Sequence, residues 1–413
     1  MVSCRLPLFA LYLVVFLADA AIFTSPVQRN IEPILELLGR HAAEESRTFH
    51  EARSNTQRRD IVQAALQSGD DATASADNQT GIWDSSILNP YIVPAQLGNP
   101  PQPFRLLLDL AWDTLFVPAA DCEGDCEDFD QKSHFYLDDS STYVKLDPRA
   151  ELVYGTDRFF GELATDTFRI AGLEISDQYF VNVHRANPLG FLSFYFGYDG
   201  VLGLAPRFDH PLTSTTLTLA PSPWSMMVNQ SVLDHNLFAL ELPSGVMDIR
   251  DPDRRGEITF GNISEKYASS DFVHMPLSNY SDQVWAVEAQ SLTWENETHP
   301  IHEDFVNLTL AGFDTTSWFI GLPGDWSKNI YASVKHKCSS ILCTVNCDQR
   351  GEMPNITFGI GGKKITLTPF DYVDEMMGMD DEMVCLFDVY PTDGRYPLNA
   401  IVLGKPFMET FYR

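Results

Sequence analysis

The sequence predicts an all-β protein built from two duplicated lobes, and three observations support this prediction. The chain has 413 residues, whereas a single hydrophobic core stops growing at roughly 250–300 residues. From residue 91 onward, short apolar runs alternate with Gly, Pro, Asn and Asp, a texture typical of strands joined by turns. An apolar strand ending in aspartate, and later an apolar pair followed by glycine, both recur after roughly 200 residues.

Residues 1–20 have the pattern of a secretory signal peptide. Arg5 supplies a positive charge, residues 6–17 form an apolar run, and Ala18-Asp19-Ala20 is a small-x-small cleavage site. No later apolar stretch reaches the roughly 18–20 residues needed to cross a bilayer. We therefore expect a soluble protein without membrane attachment, which is secreted or delivered to a lysosomal or endosomal lumen.

Residues 21–85 are interpreted as a propeptide and linker, because a helical apolar pattern beginning at Ile31 is followed by a polar stretch. The N-terminal lobe is expected over residues 86–245 and the C-terminal lobe over residues 246–413. Short helices are predicted at residues 224–233 and 324–334. The glycine-rich stretch 359–364 is predicted as a hairpin turn and not a phosphate loop, because no Ser or Thr follows its Gly-Lys pair.

The charge balance excludes two classes of partner. A formal net charge of −29 repels nucleic acid and anionic lipid surfaces. Asn-x-Ser/Thr sequons predict a glycoprotein, in agreement with the secretory route. The sequons begin at Asn78, Asn229, Asn262, Asn279, Asn296, Asn307 and Asn355.

The cysteines predict three disulfides, because an even number remains once Cys4 leaves with the signal peptide. Short spacing favours Cys122–Cys126 and Cys338–Cys343, and exchange of partners among the last four cysteines stays open. A zinc site at residues 338, 343 and 347 is the alternative, although an oxidising compartment favours disulfides.

Two aspartates lie at equivalent positions of the duplicated pattern. Asp109 ends the strand-like run 106–109, and Asp314 ends the corresponding run 311–314. A lone loop aspartate would more often cap backbone N–H groups, whereas the duplication favours two carboxylates that meet. Like charges a few ångströms apart cannot both ionise cheaply, so such a pair shares one proton and titrates as a unit.

From about Tyr91 to its end, the chain resembles the pepsin-like aspartic protease family, especially its nematode-type members. The resemblance rests on the two aspartate runs, on the later segments Val201-Leu202-Gly203 and Val402-Leu403-Gly404, and on residues 199–205 and 256–261. It implies a bilobal pepsin-like fold, in which two β-barrel-like lobes flank a cleft. It also implies that Asp109 and Asp314 are catalytic, and that the later segments cross their loops.

The resemblance further implies a monomeric zymogen that cleaves an extended peptide or protein substrate. One carboxylate would activate a water and the other would donate a proton to the peptide carbonyl, without cofactor or metal. Tyr154, Gly155 and Thr156 resemble the tip of the flap that covers substrate, and Phe116 and Thr315 would also contact it. Two further implications are a Cys347–Cys385 disulfide, and a final strand that is missing after the last residue, 413.

Both aspartate motifs depart from the family's Asp-Thr-Gly pattern. The first reads Asp109-Leu110-Ala111-Trp112 and the second reads Asp314-Thr315-Thr316-Ser317. In the family, paired threonines tie the two loops together, so we expect Leu110 to leave the hydroxyl of Thr315 without a partner. We expect Thr316 to be unfavourable where the family has glycine.

Two more departures concern the surroundings of the aspartates. Phe116 stands where the family has a tryptophan that bonds the flap tyrosine, and Lys405 stands where pepsin has an acid. A cation close to the pair would favour ionised carboxylates, so Lys405 is expected to disturb proton sharing.

Three classes of function follow. The first is an aspartic endopeptidase with activity reduced by the altered motifs, and the second is an inactive homologue that binds peptide or protein in the cleft. The third, a secreted β-rich lectin or structural protein, leaves the duplicated aspartates and glycines unexplained. Family resemblance favours the first class, and the altered motifs favour the second.

Overall fold

The computed structural model describes residues 79–84, 91–124, 133–154, 157–187, 198–206, 220–242, 255–267, 269, 272–278, 284–294, 297–300, 310–338, 343–377, 383–392 and 400–410. Within these ranges the chain is dominated by strands, with four short α-helices. The all-β prediction is therefore confirmed. The predicted signal peptide, Cys126, Gly155 and Thr156 lie outside the described residues.

Ten strands form the first sheet. They are β1 (Gln79–Asp84), β2 (Tyr91–Leu97), β3 (Gln102–Asp109), β4 (Leu115–Gly124), β5 (Val144–Tyr154), β6 (Asp157–Ile170), β7 (Leu173–Asn187), β8 (Gly200–Gly203), β9 (Phe238–Glu241) and β10 (Arg255–Phe260). Their spatial order is β5-β6-β7-β4-β8-β3-β2-β1-β10-β9. β1 lies in the stretch expected to be a linker, and it pairs antiparallel with both β2 and β10. The lobe boundaries stay predictions.

Twelve further strands form two smaller sheets. They are β11 (Ala286–Trp294), β12 (Glu297–Pro300), β13 (Leu310–Phe313), β14 (Ile320–Leu322), β15 (His336–Cys338), β16 (Cys343–Val345), β17 (Ile356–Ile360), β18 (Lys363–Leu367), β19 (Val373–Met377), β20 (Met383–Phe387), β21 (Val389–Pro391) and β22 (Ile401–Leu403). One sheet has the order β18-β17-β11-β13-β22-β14-β21, with β12 paired to β11, and the other has the order β15-β16-β20-β19.

The helices are α1 (Pro223–Asn229), α2 (Gly324–Ser333), α3 (Pro369–Tyr372) and α4 (Lys405–Met408). α1 and α2 lie in the two stretches predicted as helical, and the predicted turn at 359–364 joins β17 to β18. α1 begins at Ser222, whose hydroxyl accepts a hydrogen bond from the N–H of Ser225. Among the described residues, no helix combines the length and apolar character that a membrane span requires.

The first aspartate loop lies at the end of a strand, β3, that is buried on both faces near Asp109. In β3, Leu106 and Leu108 face a first core that includes Trp224, whereas Leu107 faces a smaller cluster that includes Phe116. This is the alternation that a strand imposes on neighbouring side chains. A second core is built around β11, β14, β17 and β20. Because both faces of β3 are covered at this end, the three residues before Asp109 are all leucine.

The sequence repeat corresponds to a repeated arrangement of strands. β8 pairs parallel with β3 and antiparallel with β4, and β22 pairs parallel with β13 and antiparallel with β14. A Cβ atom on Gly203 would lie 2.5 Å from the carbonyl oxygen of Trp112, and one on Gly404 would lie 2.2 Å from that of Phe319. Glycine is therefore needed where each crossing segment meets the loop, which confirms the predicted crossing.

Two predicted disulfides are confirmed, Cys338–Cys343 and Cys347–Cys385. They use all three cysteines that the zinc alternative required. Cys122 is also disulfide-bonded, and its predicted partner lies outside the described residues.

Candidate active site

Asp109 is the last residue of β3, and its carboxylate is almost fully buried, with 3% of the residue exposed. Oδ1 accepts a hydrogen bond from the N–H of Ala111 at 2.7 Å. Oδ2 accepts one from the hydroxyl of Tyr154 at 2.8 Å. The backbone N–H of Trp112 also favours the ionised carboxylate. The first carboxylate is thus held by backbone donors of its own loop and by a side-chain donor from a distant hairpin.

Asp314 directly follows β13, in the position equivalent to Asp109. Its Oδ1 accepts hydrogen bonds from the hydroxyl and the N–H of Thr316, at 2.7 and 2.8 Å, and from the N–H of Ser317 at 3.2 Å. Thr316 is not among the residues with positive φ. The expectation that Thr316 is unfavourable in this loop was wrong, because its side chain supplies a donor that glycine lacks.

Thr315 ties the two aspartate loops together and is 1% exposed. Its hydroxyl donates to the carbonyl oxygen of Leu108 at 2.7 Å and accepts from the N–H of Leu110 at 3.1 Å. The expectation that Leu110 leaves this hydroxyl unsatisfied was therefore wrong. The reason is that Thr315 bonds the backbone of the first loop, so the side chain at position 110 is free to be apolar.

Trp285 provides a second connection between the loops, and sequence reasoning missed it. Its indole N–H donates to the carbonyl oxygen of Leu204 at 2.9 Å, and the N–H of Leu204 donates to the carbonyl oxygen of Asp109. The carbonyl oxygen of Trp285 in turn accepts from the N–H of Phe313, next to Asp314. No local motif signals this role, since Trp285 lies far from both loops in sequence.

The two carboxyl groups interact electrostatically. Burial, and then the negative charge of Asp314, raise the pKa of Asp109 from 3.8 to about 7, against the opposing hydrogen bonds. Burial also raises the pKa of Asp314, although the donors of Thr316 and Ser317 act in the other direction. The pair therefore takes up protons more readily than isolated aspartates.

Tyr154 lies at the end of β5, where the β5–β6 hairpin turns, and its side chain packs against two aromatic rings. The ring centroids of Trp112 and Phe116 are 5.2 and 5.6 Å away, both in edge-to-face geometry. Burial and the charge of Asp109 raise the pKa of Tyr154 well above its usual value, so the phenol stays a neutral donor. Of the predicted substrate-binding residues, the structure thus brings Tyr154 to Asp109 and packs Phe116 against Tyr154.

Lys405 forms an ion pair with an acid on β19. Its side chain is buried, with 2% of the residue exposed, and Nζ lies 2.5 Å from Oδ2 of Asp374 on β19. Asp388, a buried acid near both groups, also interacts with Lys405. Lys405 is not among the leading causes of the raised pKa of Asp109 or Asp314. The structure instead pairs this cation with Asp374, so it does not support the expected disturbance of proton sharing.

This geometry agrees with a family assignment made from the whole sequence. The sequence model of the eukaryotic aspartyl protease family matches residues 90–413. The chain belongs to this family.

Individual family members show the same relationship at low identity. The chain is 28% identical over 340 residues to a vacuolar aspartic protease of Candida albicans, a match that covers 80% of this chain and 75% of the relative. It is 26% identical over 340 residues to pepsin A of Suncus murinus, with 81% of each chain covered. A vacuolar protease A of Aspergillus fumigatus is also 26% identical, over 332 residues, with 80% and 77% covered.

Within this family, Trp112 is the departure that changes the site most. It replaces a small hydroxyl residue with a large ring, and among the described residues its buried Nε1 has no hydrogen-bond partner. The changes at Leu110, Ala111 and Thr316 leave the backbone bonds of the loops in place. The altered aspartate motifs therefore preserve the loop geometry and alter what lies beside Asp109.

Proposed function

We propose that the chain is an aspartic endopeptidase that hydrolyses peptide bonds with Asp109 and Asp314 as its catalytic pair. The observation that carries this proposal is the electrostatic interaction of the buried carboxyl group of Asp109 with the half-buried one of Asp314, on equivalent, cross-linked loops. A pair with one shared proton can supply an acid and a base in the same step.

The hydrogen bonds assign a role to each aspartate. Three donors on Oδ1 of Asp314 favour its ionised form, and the negative charge of that carboxylate raises the pKa of Asp109. We therefore assign the role of base to Asp314 and the shared proton to Asp109. Asp314 takes a proton from water as the water oxygen bonds to the peptide carbonyl carbon, and Asp109 donates its proton to the carbonyl oxygen. When the C–N bond breaks, Asp314 protonates the leaving amine and a hydroxyl of the intermediate returns its proton to Asp109.

The substrate follows from the family, since its members named above are proteases. We propose a peptide or protein substrate that lies extended between the lobes, beside Tyr154 and Phe116. The vacuolar relatives favour an acidic vacuolar or lysosomal lumen, which the predicted signal peptide would allow the chain to reach. Secretion, glycosylation and zymogen processing remain predictions.

A second candidate is a homologue that binds peptide without cutting it. This candidate is favoured by the contact of Tyr154 with Asp109 and by the ring of Trp112, which occupy space that substrate and water would need. The two candidates share the cleft and differ in turnover.

The test is cleavage of an acid-denatured protein by the full-length chain at acidic pH. We expect cleavage that a statine-type transition-state analogue inhibits, and that Asp109→Asn or Asp314→Asn reduces by roughly 10³-fold or more. Asp138→Asn is the matched control, because Asp138 is an exposed aspartate of the same lobe. A folded chain that binds the analogue without cleaving any substrate would contradict the proposal and support the second candidate.

A further inference from the structure

We propose that Tyr154 is the positioning residue of Asp109: its hydroxyl supplies the side-chain donor that the first aspartate loop lacks, and proton uptake by Asp109 weakens this contact and loosens the strand ends that flank Tyr154. The inference rests on the proposed function, which gives Asp109 its proton-carrying role. What is new is a link between the position of Tyr154 at the end of β5 and the protonation state of Asp109.

The two aspartate loops differ in the donors that they provide. The Asp314 loop supplies a side-chain hydroxyl and two backbone N–H groups to its own carboxylate. The Asp109 loop also supplies backbone N–H groups, from Ala111 and Trp112. It supplies no side-chain donor, because the side chains at positions 110 and 111 are apolar and the indole N–H of Trp112 has no hydrogen-bond partner among the described residues. Oδ2 of Asp109 is instead reached by Tyr154, 45 residues further along the chain.

The position of the Tyr154 ring is set by aromatic contacts. Trp112 and Phe116 present their rings at interplanar angles of 75° and 68° to it. Such edge-to-face contacts contribute roughly as much as a hydrogen bond does. Trp112 thus has no hydroxyl to donate to Asp109, but its ring packs against Tyr154, which does donate one.

Proton uptake and hairpin position must then be linked. A hydrogen bond donated to a carboxylate favours its ionised form, and Tyr154 acts in this direction on the pKa of Asp109. By thermodynamic reciprocity, protonation of Asp109 weakens the bond from Tyr154 by the same factor. Among the described residues, two other titratable groups interact with this pair, namely Asp314 on the second loop and Tyr198, which precedes β8.

The decisive experiment titrates Asp109 directly and does not require proteolysis. The full-length protein is labelled with ¹³C at aspartate carboxyl carbons, and Asp109→Asn identifies the Asp109 signal in the NMR titration. We expect Tyr154→Phe, which keeps the ring, to raise the Asp109 midpoint by roughly one to two pH units. Tyr143→Phe is the matched control, because its hydroxyl bonds Glu162 in the same lobe, and it should leave the midpoint unchanged.

The hairpin provides a second readout. Amide hydrogen exchange at the strand ends next to the turn, residues 152–154 of β5 and 157–159 of β6, should accelerate in the wild type as pH falls through the Asp109 midpoint, after correction for intrinsic rates. In Asp109→Asn, which cannot ionise at this position, the corrected rate should not depend on pH over the same range.

The outcomes separate this inference from the proposed function. An unchanged midpoint in folded Tyr154→Phe overturns the positioning role, and if that variant does not fold, pH-independent exchange in the wild type overturns it. A shifted midpoint without any proteolysis supports the positioning role and contradicts only the endopeptidase.

Discussion

At Thr315, a single hydroxyl makes both hydrogen bonds that join the aspartate loops. Its partners are the backbone N–H of Leu110 and the carbonyl oxygen of Leu108, so the neighbouring side chains are free to vary. The same holds at Ala111 and Thr316, whose N–H groups bond the carboxylates. The loops therefore tolerate substitutions that alter every side chain around Asp109.

Removing the Thr315 hydroxyl should destabilise the protein. Thr315→Val keeps the volume but leaves the N–H of Leu110 and the carbonyl oxygen of Leu108 buried without this partner, at a cost of about 1–3 kcal/mol for each unsatisfied group. Thr315→Ser keeps the hydroxyl and removes one methyl group, so it should cost only about 1 kcal/mol. Urea unfolding of both variants measures the difference. Equal losses would mean that the hydroxyl does not stabilise the loops.

At the scale of elements, the site depends on two short strands, and one of them crosses each aspartate loop. β8 and β22 are each paired on both sides, parallel to the strand that ends at the aspartate and antiparallel to the strand that follows the loop. The glycine that ends each segment touches the backbone of the loop. The aspartates are therefore positioned by the sheets and not by the loops alone.

Gly203→Ala should disrupt this arrangement. The added Cβ would lie 2.5 Å from both the N–H nitrogen of Thr114 and the carbonyl oxygen of Trp112, and neither backbone atom can move without breaking the β4–β8 pairing. We expect a loss of about 3 kcal/mol or more in the free energy of unfolding. The control is Gly312→Ala on β13, where the added atom meets nothing within 4 Å. Its stability should change by less than about 0.5 kcal/mol.

At the scale of the whole molecule, two cores meet beneath the aspartate pair. Phe313 packs against both cores, and in α4 Phe407 belongs to the second core and Met408 to the first. The hydroxyl of Tyr91 on β2 also donates to Glu409, just after α4. Contacts on this scale remove water from the carboxyl groups, which is the main reason why their pKa values are raised.

This burial predicts a stability that decreases as pH rises. The pKa of Asp109 is about 7 in the folded state against 3.8 for an ordinary aspartate, so between these values the folded state binds more protons than the unfolded state. The free energy of unfolding should then fall between about pH 4 and pH 7, by up to roughly 4 kcal/mol from this group. The formal net charge of −29 acts in the same direction through repulsion.

Asp109→Asn isolates the contribution of this carboxyl group, because Asp388 and the surface carboxylates stay unchanged. The variant should lose less stability than the wild type over the same pH range, as measured by thermal or urea unfolding. Asp314→Asn should be intermediate, since it removes the charge but not the burial. Parallel pH curves for the wild type and Asp109→Asn would contradict the raised pKa.

The sequence by itself determined the all-β class, the duplication, the two aspartates and the glycines that cross their loops. These features are recorded in residue type and spacing, because a strand alternates its side chains regularly and a close backbone approach accepts only glycine. Only the tertiary structure decided that Thr315 bonds backbone, that Lys405 faces Asp374, and that Tyr154 reaches Asp109. Each of these contacts joins residues distant in sequence, and side-chain direction across packed strands is set by the assembled sheets and cores.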